Sequence, residues 1–299
     1  MDIALLNSLF RLAMVLLLLP LLPMLGRILE RLIPEKKAAD NRMRKLDLLE
    51  ERLVRHPALA IEQCKIVVED MLSLARQNLH SAILLQDDFS DDSYAHIQEN
   101  ETVVDVYEDK LNSYMLRITQ CELAREQNAE VSKYLHTISD FERLSDHAVN
   151  LAELAKERHA KAMTLSGSAV AELAVLQRAV EEIVRLSFDG YTSNDITPAP
   201  RVEALEQTID ALCSKIKVNH IQRLQDGVCS FEAGLYLNEL LMNYKRVANH
   251  CSNISVGMIS MTLDSYETHD YQEHIKEFRE SDFSKACSEY AAEYGLVSD

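Results

Sequence analysis

From His56 onward, apolar residues recur at three- and four-residue steps over long stretches, the period of one face of an α-helix. In the first stretch Ile61, Cys64, Val68, Met71, Ala75 and Ala82 mark that face. The polar run Gln86-Asp87-Asp88-Phe89-Ser90-Asp91-Asp92-Ser93 predicts a loop. Val104, Tyr107, Leu111, Tyr114 and Ile118 then stripe a second helix, ended by the charged stretch Arg125-Glu126-Gln127-Asn128. A third helix carries Val131, Leu135, Ile138, Phe141, Ala148 and Leu151. After a break at Thr164-Leu165-Ser166-Gly167-Ser168 the order repeats, with a helix from about 169 to 188 and a loop over 190–200. A helix starting near Val202 is closed by Gly227, and a long one runs from Phe231 to about Ile259. The pattern predicts an all-α fold, a tandem pair of three-helix bundles over 57–162 and 163–262. An acidic, less regular tail follows over 263–299, with one or two short amphipathic helices around His274, Phe278 and the Tyr290/Tyr294 pair.

Residue matching makes the duplication more than a succession of helices. Ile138-Ser139-Asp140-Phe141-Glu142-Arg143-Leu144-Ser145-Asp146-His147-Ala148-Val149-Asn150 aligns with Leu241-Met242-Asn243-Tyr244-Lys245-Arg246-Val247-Ala248-Asn249-His250-Cys251-Ser252-Asn253. Arg, His and Asn coincide at an offset of 103 (246 − 143). On the preceding helices Asp105-x-x-x-Asp109-x-Leu111 matches Glu206-x-x-x-Asp210-x-Leu212 at an offset of 101 (206 − 105). Two nearly equal offsets on separate helices imply an internal repeat, each copy burying its own seam.

The N-terminal residues read differently. Ile3 to Leu25 are almost wholly apolar, long enough to cross ~30 Å of hydrocarbon, although Arg11, Pro20 and Pro23 interrupt them. No basic region precedes this stretch and no small-x-small cleavage site follows it, which favours a membrane helix (1–33) over a signal peptide. Arg27, Arg31, Lys36, Lys37, Arg42, Arg44 and Lys45 crowd its C-terminal flank and a basic linker (34–56), so the positive-inside rule predicts a cytoplasmic body below an inner membrane.

Composition narrows the classes. Seven glycines and six prolines in 299 residues suit long helices better than strands and turns. A formal charge of −17 and the absence of tryptophan argue against nucleic acid, whose phosphates would be repelled and whose bases would find little to stack on. The six cysteines form no C-x-x-C pair and read as small apolar residues in a reducing compartment.

Two carboxylate pairs in the first unit, Asp105 with Asp109 and Glu142 with Asp146, stand four residues apart on one helix face. Antiparallel packing of the two helices would gather them into a hard, oxygen-rich patch suited to a divalent or ferric ion. The competing reading is a solvated face with local pairing to Lys110 and Arg143. Matched histidines, His147 and His250, suit a metal or acid–base role, or a polar boundary position at which Asn150 and Asn253 add hydrogen bonds. Arg143 and Arg246 suit a phosphate contact or a clamp on neighbouring carboxylates. No G-x-x-x-x-G-K, G-x-G-x-x-G, H-E-x-x-H or nucleophile-elbow pattern occurs, and no enzyme is expected.

The string Phe141-Glu142-Arg143-Leu144-Ser145-Asp146-His147-Ala148-Val149-Asn150-Leu151-Ala152-Glu153 resembles the signature of PhoU proteins, roughly E-R-I-G-D-H-A-x-N-I-A-E. Their preceding helix carries D/E-x-x-x-D, as Asp105/Asp109 and Glu206/Asp210 do here. The resemblance covers about 57–262 and implies tandem three-helix bundles with a metal cluster held by the D/E-x-x-x-D pairs. In the second unit Lys245 and Asn249 stand where Glu and Asp are expected, so a second metal site would be lost or reduced to Glu206 and Asp210. The apolar N-terminal stretch is similar to the last transmembrane helix of sodium-dependent phosphate cotransporters, whose cytoplasmic extension is PhoU-like. The resemblance implies a regulatory module of a phosphate transport system, part of such a cotransporter or separately anchored. Its implied partners are the membrane, a transporter core or another phosphate-system protein, and a second copy of itself. The alternative is a membrane-tethered helical adaptor or dimerisation module with no metal and no link to phosphate.

Overall fold

The computed structural model describes residues 43–265 and 269–295, with side chains placed for 43–259 and 281–295. Two short 3-10 helices, Arg44–Leu48 and Glu51–Arg55, lead into α1 (Pro57–Leu84), α2 (Asp91–Ile118) and α3 (Arg125–Ala160). A second set follows: α4 (Gly167–Ser193), α5 (Ala199–Gln225) and α6 (Phe231–Ser265), then α7 (His269–Tyr294). No strand occurs among the described residues.

Local chemistry fixes the helix ends. Pro57 opens α1, where a missing N–H costs nothing. Ser90 caps α2 by accepting from the Ser93 amide, and Asp91 and Asp92 sit against the positive end of the helix dipole. Ser166 caps α4 by accepting from the Ala169 amide at 3.3 Å. Asn194 closes α4 in the left-handed region at φ 54°, a conformation asparagine tolerates better than most residues. Gly227 takes φ 71° after α5.

Each set of three helices buries its facing stripes, and the sets also bury residues against each other. α3 packs as extensively on α6 as on its own partners. Phe141 of α3 meets Phe188 and Tyr191 of α4 edge to face, with centroids 5.9 and 5.0 Å apart. The Tyr191 hydroxyl accepts from Thr137 at 3.0 Å. Inside the first unit Asn78 donates to Ser145 (3.0 Å) and accepts from Asn100 (2.9 Å), which satisfies three buried polar side chains. Residues Lys45–Asp299 thereby form one compact unit.

The sequence-based expectations shift in three places. The tail contains one 26-residue helix, α7, which packs on α5 and buries Ala286, Tyr290 and Tyr294. Arg201 of α5 reaches Glu289 (3.0 Å) and the Tyr290 hydroxyl (3.1 Å) to hold it there. The latter part of the basic linker belongs to the first unit. Tyr114 donates to the Glu50 carbonyl at 2.9 Å, and Lys45 and Arg117 pair with Asp70 and Glu51. The third correction concerns localisation. Among the described residues no helix is long and apolar enough to cross a membrane, which removes the support for placing the chain in an inner membrane by a single span. The stretch 1–33 on which that placement rested lies outside the described residues.

Candidate functional site

The helical repeat sets which carboxylates share a face. On α2, Glu101 and Asp105 are one turn apart, and Glu108 lies on the side turned toward α3. There Glu108 Oε1 accepts from Ser139 of α3 and from Asn112, both at 3.1 Å. On α3, Glu142 and Asp146 are again one turn apart, and the Arg143 guanidinium spans both, at 3.3 and 3.0 Å. Glu142 is the more enclosed of this pair, with 15% of its side chain exposed against 34% for Asp146. Burial, Asp146 and Glu108 together push its carboxyl from the usual 4.5 to about 7, against the opposing pull of Arg143. Glu101 is also held above the usual range by burial, Asp146 and Asp105.

Packing of α2 on α3 thus brings Asp105, Glu142 and Asp146 into one electrostatic neighbourhood and adds Glu101 and Glu108. Asp109 is exposed one turn further along α2. Glu101 had a readable signal, the same four-residue spacing to Asp105. Glu108 had none, because its importance comes from facing α3. Among the described residues, no three His, Cys, Asp or Glu side chains converge so as to hold a metal ion. As folded, the Arg143 guanidinium supplies positive charge between Glu142 and Asp146.

The second unit builds the matching surface from α5 and α6. Lys245 forms an ion pair with Asp210. Asn249 donates to Glu206 Oε1 at 2.8 Å when its carboxamide is oriented to suit its neighbours. Glu206 is raised by burial and by Asp210, and lowered by Lys245. The two departures from the acidic pattern therefore each touch one of the remaining acids. The exposed Lys245 also has its own affinity for a proton raised by Asp210.

The matched histidines meet across the two units. His147 of α3 bonds through Nδ1 to Asn243 Oδ1 of α6 at 3.0 Å. His250 of α6 bonds through Nδ1 to Asp140 Oδ1 of α3 at 2.8 Å. Asp140 and Asn243 are equivalent positions in the repeat, so the crossing is pseudo-symmetric. The rings lie 5.5 Å apart, inclined by 33°. Asn253 adds a long contact to Asp140 at 3.5 Å. Burial lowers the proton affinity of His147, with Asn243 opposing and His250 and Arg246 reinforcing the effect. These residues clasp α3 to α6. Beside them Asn150 and Arg246 line an open cleft of about 340 Å³, together with Glu153, Glu157 and Glu239. Of the cysteines, Cys64, Cys213 and Cys251 are buried, and burial pushes the Cys64 thiol up to about 12.

Known proteins fit this arrangement. The PhoU domain family model matches residues 68–155 and again 173–256. These stretches follow the two three-helix sets and cover more than half of the chain. The phosphate-specific transport system accessory protein PhoU homolog 1 of Thermotoga maritima is 21% identical over 197 residues, covering 64% of this chain and 82% of that protein. The crystal structure of PhoU from Pseudomonas aeruginosa superimposes with a TM-score of 0.63 at 17% identity, covering 68% of this chain and 97% of that one. That likeness is one of fold. With two family matches in tandem on two matched bundles, the chain belongs to the PhoU family.

Proposed function

We propose that this protein is a non-catalytic regulatory module of phosphate transport, which acts by binding other proteins of the transport system. The tandem PhoU match is the observation that carries the reading, and the Thermotoga maritima relative, named as a phosphate-specific transport system accessory protein, supports it. A helical body with a fixed inter-unit clasp and an asymmetric charge distribution suits docking rather than bond-breaking chemistry. No step in this proposal runs through a metal ion. A finer proposal, on the sequence resemblance alone, is that the regulated transporter is sodium-coupled.

Deleting the gene and measuring phosphate uptake and a phosphate-responsive reporter over a range of external phosphate tests the regulatory reading. Altered uptake or an altered reporter threshold, restored by the wild-type chain, is expected. Unchanged uptake and reporter response at every concentration would overturn it in favour of a structural adaptor. Repeating the uptake with sodium replaced by potassium decides the finer reading, because the modulated component must then disappear.

A further inference from the structure

At one end of the second unit the α3–α4 turn and the α5–α6 turn enclose a cavity of about 370 Å³. Lys161, Thr164, Ser166, Cys229, Ser230 and His220 are among its lining residues. Two helix N-termini open on it. Ser166 caps α4, and Ser230 caps α6 by accepting from the Ala233 amide at 3.1 Å. The first amides of each helix have no intrahelical acceptor, and the positive ends of both dipoles meet at this point.

His220 forms the wall from α5, and it is 7% exposed. Neither of its ring nitrogens has a hydrogen-bond partner. A buried imidazole left in this state costs free energy, so it marks a place where a partner belongs. One turn on, Arg223 binds Glu172 at 3.0 and 2.8 Å and reaches Ser168 of α4 at 3.4 Å, while its buried Nε has no acceptor. Among the described residues, every buried side-chain nitrogen without a partner belongs to His220 or Arg223. Gly234 of α6 keeps the ring in place by leaving it room: a Cβ there would lie 2.7 Å from His220 Nε2.

The sign of the ligand follows from this set. Two helix N-termini and the unpartnered ring nitrogens of His220 oppose a cation, and Lys161 at the rim carries a positive charge that Glu157 also engages. Glu232, exposed in the first turn of α6, is the one carboxylate in the lining. We propose that this cavity is a binding site for a tetrahedral oxyanion, a phosphate group held between the N-termini of α4 and α6 with the His220 imidazole donating to it. The volume admits the group alone or on a small organic body. The site lies in the second unit, away from the acidic surface of the first, and does not depend on the regulatory reading.

Isothermal titration of the purified full chain tests it, with inorganic phosphate, sulfate and a small phosphomonoester as ligands and chloride as the ionic-strength control. Saturable binding is expected for phosphate or the phosphomonoester and not for chloride. Whichever binds more tightly identifies the source of the group. His220→Leu should weaken binding about tenfold or more, as expected for deleting a hydrogen bond to a charged group. Its melting temperature should hold, because two unpartnered nitrogens leave the interior. Gly234→Ala, which pushes the ring from its place, should weaken binding comparably, and Lys285→Ala on α7 should not. No saturable binding by the wild-type chain up to about 10 mM phosphate or phosphomonoester, or equal binding by wild type and His220→Leu, would overturn the assignment.

Discussion

In the first unit the surface between α2 and α3 gathers Glu101, Asp105, Glu108, Glu142 and Asp146, and the Arg143 guanidinium pairs with the last two. The matching surface between α5 and α6 holds Glu206 and Asp210, each joined to a partner of positive or neutral character, Lys245 and Asn249. The backbone at the two places is the same helix pair. Four equivalent positions separate an electrostatically crowded surface from a quieter one: Glu101, Glu108, Glu142 and Asp146 in the first unit stand where the second has Val202, Ile209, Lys245 and Asn249. The same scaffold occurs twice, and each copy carries its own charge pattern on it.

Five substitutions break or sharpen that comparison. The largest effect is expected at Phe141 and its equivalent Tyr244, both fully buried. Phe141→Ala should cost about 3–5 kcal/mol, lowering the melting temperature in calorimetry by roughly 10 °C. Tyr244→Ala should cost a similar amount, because core packing does not register the difference in surface charge. A much smaller loss for one of them would show that the two units are unequally packed.

The clasp comes next. His147→Leu should lose about 1–2 kcal/mol in urea unfolding at pH 8. The pH dependence carries the sign. His147 binds its proton less readily in the folded chain than in the unfolded one, so its contribution is present above about pH 6.5 and declines as pH falls through the lowered folded value. The variant should therefore show a flatter acid branch than the wild type between pH 7 and pH 5.

Glu142→Gln should stabilise the protein. The folded carboxyl takes a proton at about 7 against the usual 4.5, so stability is lost as pH rises through that window. The gain should be about 1 kcal/mol, or roughly 2–4 °C, at pH 8 and close to nothing at pH 4. A loss at pH 8 would mean that the Arg143 contact outweighs the crowding. Lys245→Glu asks the reverse question in the second unit, by installing the residue of the first. It should lower the melting temperature by only about 1–2 °C, less at high salt, because the ion pair is exposed.

Much of the architecture was legible. The 3.6-residue period reported every helix from α1 to α6, because each must bury one continuous stripe. The offset of about one hundred residues announced the repeat. The tail was harder: α7 has a weak amphipathic pattern, and its anchors, Tyr290 and Tyr294, acquire a buried partner only when α5 is in place. The apolar run at 3–25 suggested a membrane span by composition. Placing the chain in a membrane by that span has no support among the described residues, where no helix meets the length and apolarity required.

For the candidate sites the division is sharper. Spacing along one helix identifies Glu142 with Asp146, and the repeat identifies Lys245 and Asn249 as departures. These are one-dimensional facts that the chain carries unaided. That Glu108 turns toward Glu142, that His147 reaches Asn243 while His250 reaches Asp140, and that His220 sits unpartnered between two helix N-termini required neighbours from distant helices. Helical period determines which side chains share a face of one helix. Only packing decides which faces meet, and with that the local charge, the desolvation of each group and the space left beside it.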